Sequence, residues 1–347
     1  MKIINFFVDK FESTDPTHQN QISNLKKQFQ SSNVNILLGA GFSYGVAELL
    51  GNIEQQLTDA ESSGNQELIL SLKKDFFTKS ILPTIDASKL EIGEAERVRF
   101  FSLLKRIIEN RQSSILHKII NVFTTNYDLL IESACEDANA EYIDGFSGRL
   151  TPSFSTANYG VILSRQTSIS SMTSEVVTFN LYKVHGSLNW KCENDKIVRN
   201  NHHQAITEIN NHLHSEDFET YYSNLSIINP TKAKLQETVL NVNYYDQLRM
   251  YCNELEKRNT LLIAFGFSFA DEHILQMTTR ALKGNPTFSL IIFSFNSDST
   301  QKYTSLFEQY PNVSIFQLLE DDKSKSVVNF SQKFVNDILE EVYNGTK

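Results

Sequence analysis

Cysteine is scarce in this chain. Its three cysteines, Cys135, Cys192 and Cys252, stand far apart among 347 residues. An odd number of widely separated cysteines predicts free thiols in a reducing compartment, so we expect a cytoplasmic protein. No Cys-x-x-Cys pair occurs in the sequence, and this absence excludes a zinc ribbon.

Long apolar runs are missing as well. No stretch approaches the ~20 apolar residues of a membrane-spanning helix, so no membrane association is expected. Residues 1–15 start with an apolar segment but have neither the basic region nor the small-residue cleavage site of a secretion signal. Glycine and proline number only 13 and 6, so no flexible linker is evident, and residues 1–347 are predicted to form a single domain.

Positive charge is neither in excess nor clustered. The chain has 32 Lys and Arg against 41 Asp and Glu, which gives a net charge of −9. Lys26-Lys27 and Lys73-Lys74 are isolated pairs. Phosphate backbones are bound by clustered Lys and Arg, so we expect no direct nucleic acid binding, and any nucleic acid would be engaged through a partner.

What the chain does have is a series of short apolar segments that alternate with helical patterns. The predicted strands are Val34–Leu38, Ile120–Phe123, Val176–Val184, Leu225–Ile228, Leu261–Phe265, Leu290–Phe293 and Val313–Phe316. Apolar residues at helical spacing occur in Phe100–Ile119, Tyr244–Leu255, Glu272–Leu282, Tyr303–Tyr310 and Val327–Val342. This alternation predicts an α/β fold with a Rossmann-like, doubly wound, mostly parallel sheet.

Two regions interrupt the alternation. Residues 59–118 are too long for one crossover and are predicted to be a helical insertion. Residues 143–175 and 191–224 are rich in polar residues and are predicted to form a smaller irregular insertion near the mouth of the sheet. The predicted Rossmann-like core comprises approximately residues 30–58, 119–142, 176–190 and 225–320, and residues 321–347 are predicted to form a C-terminal helix.

The most informative stretch is Asn33–Ser43, in which an apolar run stops at a Gly-Ala-Gly turn. A helix-competent segment, Tyr44–Leu57, follows directly. Strand, glycine turn and helix together present backbone N–H groups to a phosphate, and Ser43 could cap the helix or bond a phosphate oxygen. The alternative is a tight strand–helix turn without a ligand.

Two commoner phosphate-binding loops are excluded by spacing. A P-loop requires G-x-x-x-x-G-K-[ST], but Gly39 and Gly45 are not spaced in this way and no lysine follows them. A dehydrogenase fingerprint requires G-x-G-x-x-G, and Gly45 falls one place late. The acidic candidates Asp59 and Glu61 lie in helix-like sequence, so a hydride-transfer site is not expected.

Polar residues follow four of the predicted strands. They are Thr125, Asn126 and Asp128 after the second strand, His185 after the third, Gly266, Ser268 and Asp271 after the fifth, and Asn296 after the sixth. Ligands of open α/β sheets bind beyond the carboxyl ends of the strands, so these residues predict one site. Taken singly, Asn126 or Asp128 could cap a helix, and His185 could be a core histidine.

The residue types suit cleavage of an N-glycosidic bond to a ribose. Such a reaction passes through an oxocarbenium-like state, which needs oxygen or carboxylate groups to stabilise its positive charge and a base to activate water. Asn126 and Asp128 can orient the leaving base and the ribose, and His185 can act as the general base near neutral pH.

A cluster of histidines elsewhere in the chain suggests a metal site, but the sequence supports this alternative less well than the site at the strand ends. His202, His203, His212 and His214, with Cys192 upstream, could in principle bind zinc. Their spacing matches no standard zinc site, so no metal is expected.

The chain resembles the sirtuin superfamily. The resemblance rests on Gly-Ala-Gly-Phe-Ser at 39–43, Thr-Asn-Tyr-Asp at 125–128, Lys-Val-His-Gly-Ser at 183–187 and Gly-Phe-Ser at 266–268, which occur in sirtuin order. It implies that NAD is the substrate and that His185, Asn126 and Asp128 are the catalytic residues. The implied NAD-binding residues are Gly39, Ala40, Gly41, Phe42, Ser43, Thr125, Gly266, Ser268 and Asn296.

The motifs look most like those of sirtuin-like proteins in bacterial anti-phage defence. That resemblance implies a glycohydrolase that cleaves NAD to nicotinamide and ADP-ribose and so depletes NAD in abortive infection. The four zinc cysteines of protein-deacylating sirtuins are missing, and so is their Asp-Phe-Arg element after Ser43. Both departures argue against acyl-lysine chemistry, but a NAD-dependent deacylase and a non-catalytic sensor of NAD or ADP-ribose are the alternatives.

The resemblance also implies partners. Sirtuin-like defence domains without a sensor of their own tend to act with another protein, and the catalytic domain takes up almost all of this chain. We therefore expect a homo-oligomer with a separately encoded partner, such as a ring-forming DNA-translocase ATPase or a short Argonaute.

Overall fold

The centre of the protein is an eight-stranded sheet in which every pair of neighbouring strands is parallel. A computed structural model describes residues 1–7, 16–47, 53–113, 115–166, 172–194, 196–212, 215–228, 242–319 and 327–345. In spatial order the strands are β1 (Lys2–Phe7), β15 (Val313–Leu319), β14 (Phe288–Ser294), β13 (Thr260–Phe265), β2 (Asn33–Leu38), β3 (Ile119–Thr124), β9 (Thr178–Lys183) and β4 (Glu141–Ile143). The predicted parallel α/β sheet is therefore confirmed.

Helices cover both faces of this sheet. The helices are α1 (Pro16–Ser31), α2 (Ile53–Ser63), α3 (Gln66–Phe76), α4 (Ala87–Leu90), α5 (Glu94–Glu109), α6 (Leu130–Asp137), α7 (His202–His212), α8 (Phe218–Asn224), α9 (Val242–Glu256), α10 (Glu272–Gly284), α11 (Ser297–Phe307) and α12 (Val327–Asn344). Apolar residues of α1, α5, α6 and α12 share one core cluster with Ile36 of β2. Those of α9, α10 and α11 share another with Leu37, because successive residues of a strand point to opposite faces. None of the helices within the described ranges is long and apolar enough to cross a membrane.

The helix predicted for Phe100–Ile119 is shorter than expected. Helix α5 ends at Glu109, and the Ile115 side chain is 87% exposed. The apolar residues past this end belong to other elements, because Ile115 and Leu116 lie in the connection to β3 and Ile119 is the first residue of β3. Although α5 falls within the predicted helical insertion, it packs in the main core, and the proposed division into core and insertions stays a prediction.

A second sheet lies beside the first, and no pattern in the sequence predicts it. Its strands are antiparallel, in the order β12 (Leu225–Ile227), β10 (Gly186–Glu193), β11 (Lys196–Arg199), β6 (Ser153–Phe154) and β5 (Phe146–Ser147). The strand predicted at Leu225–Ile228 belongs here rather than to the parallel sheet. A separate pair joins β7 (Ser164–Gln166) and β8 (Thr173–Glu175). Because β10 begins directly after His185, this sheet borders the carboxyl end of β9.

Candidate functional site

The glycine turn after β2 differs from the predicted strand–turn–helix. Residues Ala40–Phe42 form a single 3₁₀ turn, Tyr44–Ala47 form a further turn, and α2 begins at Ile53. Gly45 has a φ of +93°, a conformation that no α-helix contains. The helix predicted for Tyr44–Leu57 is thus not formed in Tyr44–Ala47, and residues 48–52 lie outside the described ranges.

The glycines allow two loops to touch. A Cβ on Gly39 would lie 2.5 Å from the Gly266 carbonyl oxygen, and a Cβ on Gly41 would lie 2.5 Å from the Gly266 Cα. Gly266 itself has a φ of +62°, which favours glycine. The loop after β2 is thereby packed against the loop after β13, backbone to backbone.

Most N–H groups of the glycine turn are used inside the chain. Gly39 donates to the Phe265 carbonyl, Gly41 to the Gly266 carbonyl, and Ser43 to the Ala40 carbonyl. Ala40 is exposed at the tip of the turn, and in the part of the chain that the structure describes no backbone hydrogen bond engages its N–H. Among Gly39, Ala40, Gly41 and Ser43, Ala40 is therefore the residue whose N–H makes no backbone hydrogen bond within the described residues.

Phe42 lies in the core rather than on the surface of the site. Its ring is fully buried and makes edge contacts with Phe100, Phe101 and Phe265 at centroid distances of 6.0–6.1 Å. Its side chain supports the turn from beneath and has no access to a ligand.

Asn126 and Asp128 are joined to the glycine turn through Ser43. The Asn126 Nδ2 donates to the Gly39 carbonyl and to the Ser43 Oγ, both at 3.0 Å. Because both hydrogens of this amide are used, the Asn126 Oδ1 is the atom left to accept a hydrogen bond from a ligand. The Ser43 hydroxyl donates to the Asp128 Oδ2 at 2.6 Å. The Ser43 side chain thus aligns the two residues and does not cap a helix.

Asp128 also stabilises the start of α6. Its Oδ1 accepts from the Leu130 N–H at 3.1 Å, so the helix-capping alternative describes part of what this residue does. With one oxygen on the helix and the other on Ser43, the carboxylate has a single orientation.

A buried lysine lies beneath these residues, and no role was predicted for it. Lys183, at the end of β9, is 1% exposed. Its Nζ donates to the Asp128 carbonyl, to the Glu132 Oε1 at 2.8 Å and to the Ser187 Oγ at 3.0 Å. Burial raises the pKa of the Glu132 carboxyl, and the charge of Lys183 opposes that rise. The available signal was a lysine at the end of a mostly apolar segment that was predicted to be a strand.

His185 pairs with Asp271. The Nε2 of His185 lies 3.1 Å from the Asp271 Oδ2, and both side chains are 8% exposed. The Tyr127 ring lies 6.4 Å from the imidazole, centroid to centroid. Asp271 was expected at this edge as one of the polar residues after β13, but its contact with His185 was not predicted.

These contacts form a closed ring across the carboxyl ends of four adjacent strands, β13, β2, β3 and β9. The linking pairs are Gly41–Gly266, Gly39–Asn126, Thr124–Val184 and His185–Asp271. The structure thus brings Asn126 and Asp128, from the loop after β3, to the same edge of the sheet as His185 after β9, as predicted for a site at the strand ends.

The remaining predicted NAD-binding residues lie at the same edge of the sheet but outside this ring. Ser268 and Asn296 are exposed after β13 and β14, and Thr125 is half-buried beside Asn126. Asn296 caps α11, its Oδ1 accepting from the Ser299 N–H at 2.7 Å. Their roles in binding stay predictions.

The histidines considered as a metal site form no such site where the structure describes them. His212 stacks on Tyr221 with a centroid distance of 4.8 Å. His214 and the side chains of His202 and His203 lie outside what is described. Among the remaining residues, no group of three or more His, Cys, Asp or Glu side chains could hold a metal ion.

Comparison with known proteins places the chain in a family. Residues 120–316, more than half of the chain, match the model of the SIR2-like domain. A solved structure described as "Structural Basis for the Mechanism and Regulation of Sir2 Enzymes" is similar over 94% of this chain and 98% of its own, with 11% identity and a TM-score of 0.44. No curated protein matches the chain. The chain belongs to the SIR2-like domain family.

Proposed function

We propose that this protein is a NAD glycohydrolase, which hydrolyses NAD to nicotinamide and ADP-ribose. The observation that carries the proposal is the convergence of Asn126 and His185 on one edge of the sheet, each buried and each held by another side chain or a backbone group. Membership of the SIR2-like family makes NAD the expected ligand of this edge.

The reaction can be assigned to these residues step by step. The bond between the nicotinamide nitrogen and the ribose C1′ breaks, and its electron pair leaves with the ring as neutral nicotinamide. Positive charge then develops on the ribose, where the Asn126 Oδ1 and the Asp128 carboxylate stabilise it. A water oxygen bonds to C1′ while His185 accepts the proton, which is afterwards released to solvent.

The glycine turn fits the other end of the ligand. Ala40 is exposed at the tip of the turn and its N–H makes no backbone hydrogen bond within the described residues, while the glycines on both sides of it keep side chains out of the way. Binding of the pyrophosphate there supplies energy remote from the reacting carbon, which favours distortion of the ribose.

The test is nicotinamide release from NAD by purified protein in its assembled, partner-activated state. The account predicts turnover by the wild type and a loss of at least about 100-fold for His185→Ala and for Asn126→Ala, because each removes a group that acts in the transition state. Circular dichroism should show that both variants keep the fold. Turnover that depends on an acyl-lysine peptide would instead indicate a deacylase, and saturable NAD binding without turnover would indicate a sensor.

We further propose that the protein works as a homo-oligomer activated by a separately encoded partner in anti-phage defence. Exposed apolar side chains in residues 143–175 support a contact surface there, with Leu150 98% and Met172 74% exposed. The proposed partner is a protein such as a ring-forming DNA-translocase ATPase or a short Argonaute.

Light scattering and nicotinamide release, measured with and without the product of a neighbouring gene, test the oligomer and the partner. We expect an assembled chain of low activity that the partner raises. A monomer with full activity on its own would contradict both proposals.

A further inference from the structure

We propose that Asp271 is a positioning residue, whose carboxylate fixes the ring orientation and the tautomer of His185. This inference rests on the proposed function, in which His185 accepts a proton. The Asp271 Oδ2 lies 3.1 Å from Nε2, and a carboxylate this close favours the proton of the neutral imidazole on Nε2, which leaves the lone pair on Nδ1. In the proposed reaction, Nδ1 is then the nitrogen that takes the proton from water.

The pair spans an unusual distance across the sheet. His185 follows β9 and Asp271 follows β13, and two strands, β2 and β3, lie between them. Neighbouring strands are ~4.8 Å apart, so the ends of β9 and β13 are separated by about 14 Å. Nevertheless the Nε2 and Oδ2 atoms lie 3.1 Å apart, with both side chains almost completely buried. The loop after β13 must reach over the ends of two strands to place this carboxylate.

Asp271 is held rigidly by the helix that follows it. Its Oδ1 accepts from the backbone N–H groups of His273 and Ile274, at 3.1 and 3.3 Å, and so caps α10. Oδ1 therefore caps the helix, and Oδ2 contacts the imidazole of His185. A carboxylate fixed to the end of a helix can in turn fix the ring that it contacts.

The backbone leading to Asp271 is strained. Phe269 has a φ of +54°, a conformation that is rare for a bulky residue. Its buried ring packs on Phe267, Tyr303 and Phe307 at centroid distances of 5.1, 6.2 and 5.0 Å. Such strain persists where packing enforces it, and it is concentrated at functional sites. Phe269 precedes Asp271 by two residues, so this strained turn lies in the segment that carries the carboxylate.

The decisive variant is Asp271→Asn. Asparagine caps helices as well as aspartate does, so the cap on α10 is kept while the charge facing His185 is lost. An asparagine amide can also donate to Nε2 and so stabilise the opposite tautomer, an exchange that disables the catalytic histidine of serine proteases. We expect kcat to fall at least about 100-fold, with KM changed less than about threefold and Tm unchanged.

Asp271→Ala and Asn65→Ala separate positioning from stability. Asp271→Ala loses both the cap and the charge, so kcat and Tm should both fall. Asn65 caps α3 by accepting from the Leu68 N–H, and it belongs to no part of the site. Asn65→Ala should therefore lower Tm like Asp271→Ala but keep kcat. If kcat of Asp271→Asn stays within threefold of the wild type, or if kcat follows Tm across the three variants, the proposal is wrong.

A spectroscopic readout keeps this inference separate from the proposed function. The ¹⁵N chemical shifts of the His185 imidazole distinguish a proton on Nε2 from one on Nδ1, whether or not the protein turns over NAD. The wild type should show the Nε2–H form, and Asp271→Asn should shift the population towards Nδ1–H. Identical imidazole spectra in the two proteins would overturn the positioning role, whereas absence of nicotinamide release by the wild type would overturn only the proposed function.

Discussion

At Gly39, Gly41 and Gly266, two loops of the sheet touch so closely that none of these residues has room for a side chain. These glycines are therefore required first for the packing of the two loops. The same lack of side chains is what would let a phosphate approach the turn. Polar residues of the site are each tied by more than one contact, as Asn126 is to Gly39 and Ser43. Groups held in this way need little reorganisation when charge develops on a ligand.

The glycine contact gives a prediction for single residues. Gly41→Ala places a Cβ 2.5 Å from the Gly266 Cα, a backbone atom that cannot move aside cheaply. We expect a loss of about 1–3 kcal/mol in the free energy of unfolding, measured by urea denaturation, and a loss of NAD cleavage.

Gly160→Ala is the matched control for Gly41→Ala. A Cβ on Gly160 meets no atom within 4 Å, so this variant should keep both stability and activity. Equal stability of the two variants would show that the contact between the loops does not constrain the glycine turn.

At the scale of elements, the site depends on how β9 and α6 are held together. Lys183 at the end of β9 bridges the Asp128 carbonyl and the Glu132 carboxylate on α6, and the lysine side chain is 1% and the glutamate side chain 14% exposed. The three groups fix the start of α6, and with it the Asp128 carboxylate above. A buried ion pair of this kind favours one arrangement because removing either partner leaves the other uncompensated.

Lys183→Met tests this support. The change leaves Glu132 buried without its cation, and we expect the free energy of unfolding to fall by about 3–5 kcal/mol. Adding Glu132→Gln to it should recover part of the loss, because the uncompensated charge is then removed. Both values can be measured by chemical denaturation.

The exposed pair Lys79–Asp75, at 3.4 Å, provides the control for the buried one. Lys79→Met should change the free energy of unfolding by less than about 1 kcal/mol, because an exposed ion pair is screened by water. A comparably small change for Lys183→Met would contradict the bridging role of the buried lysine.

How much of this could be predicted varies from element to element. The buried strands β2, β3, β13 and β14 are mostly apolar, and the polar residues after them were expected to meet because parallel strands end at one edge. The three-residue strand β4 and the two-residue strands β5 and β6 carry too little pattern to be recognised. The His185–Asp271 pair joins loops that are distant in sequence, and no local periodicity records such a contact.

At the scale of the whole molecule, two sheets meet at the residue proposed to be the base. Strand β9 of the parallel sheet ends at Lys183, and strand β10 of the antiparallel sheet begins at Gly186. His185 lies in the short connection between the two strands. The Ile228 N–H donates to the His185 carbonyl at 2.8 Å, so the second sheet fixes the histidine backbone from its other side. A partner that shifts the second sheet would thereby act on His185, which is a physical route for the activation proposed above.

Quantifying both products of NAD cleavage by the activated wild-type protein tests the central claim most directly. Chromatography of the reaction should show nicotinamide and ADP-ribose in equal amounts, with neither formed by His185→Ala. The account would be contradicted if the wild type formed no ADP-ribose under activating conditions. It would also be contradicted if His185→Ala formed as much of both products as the wild type.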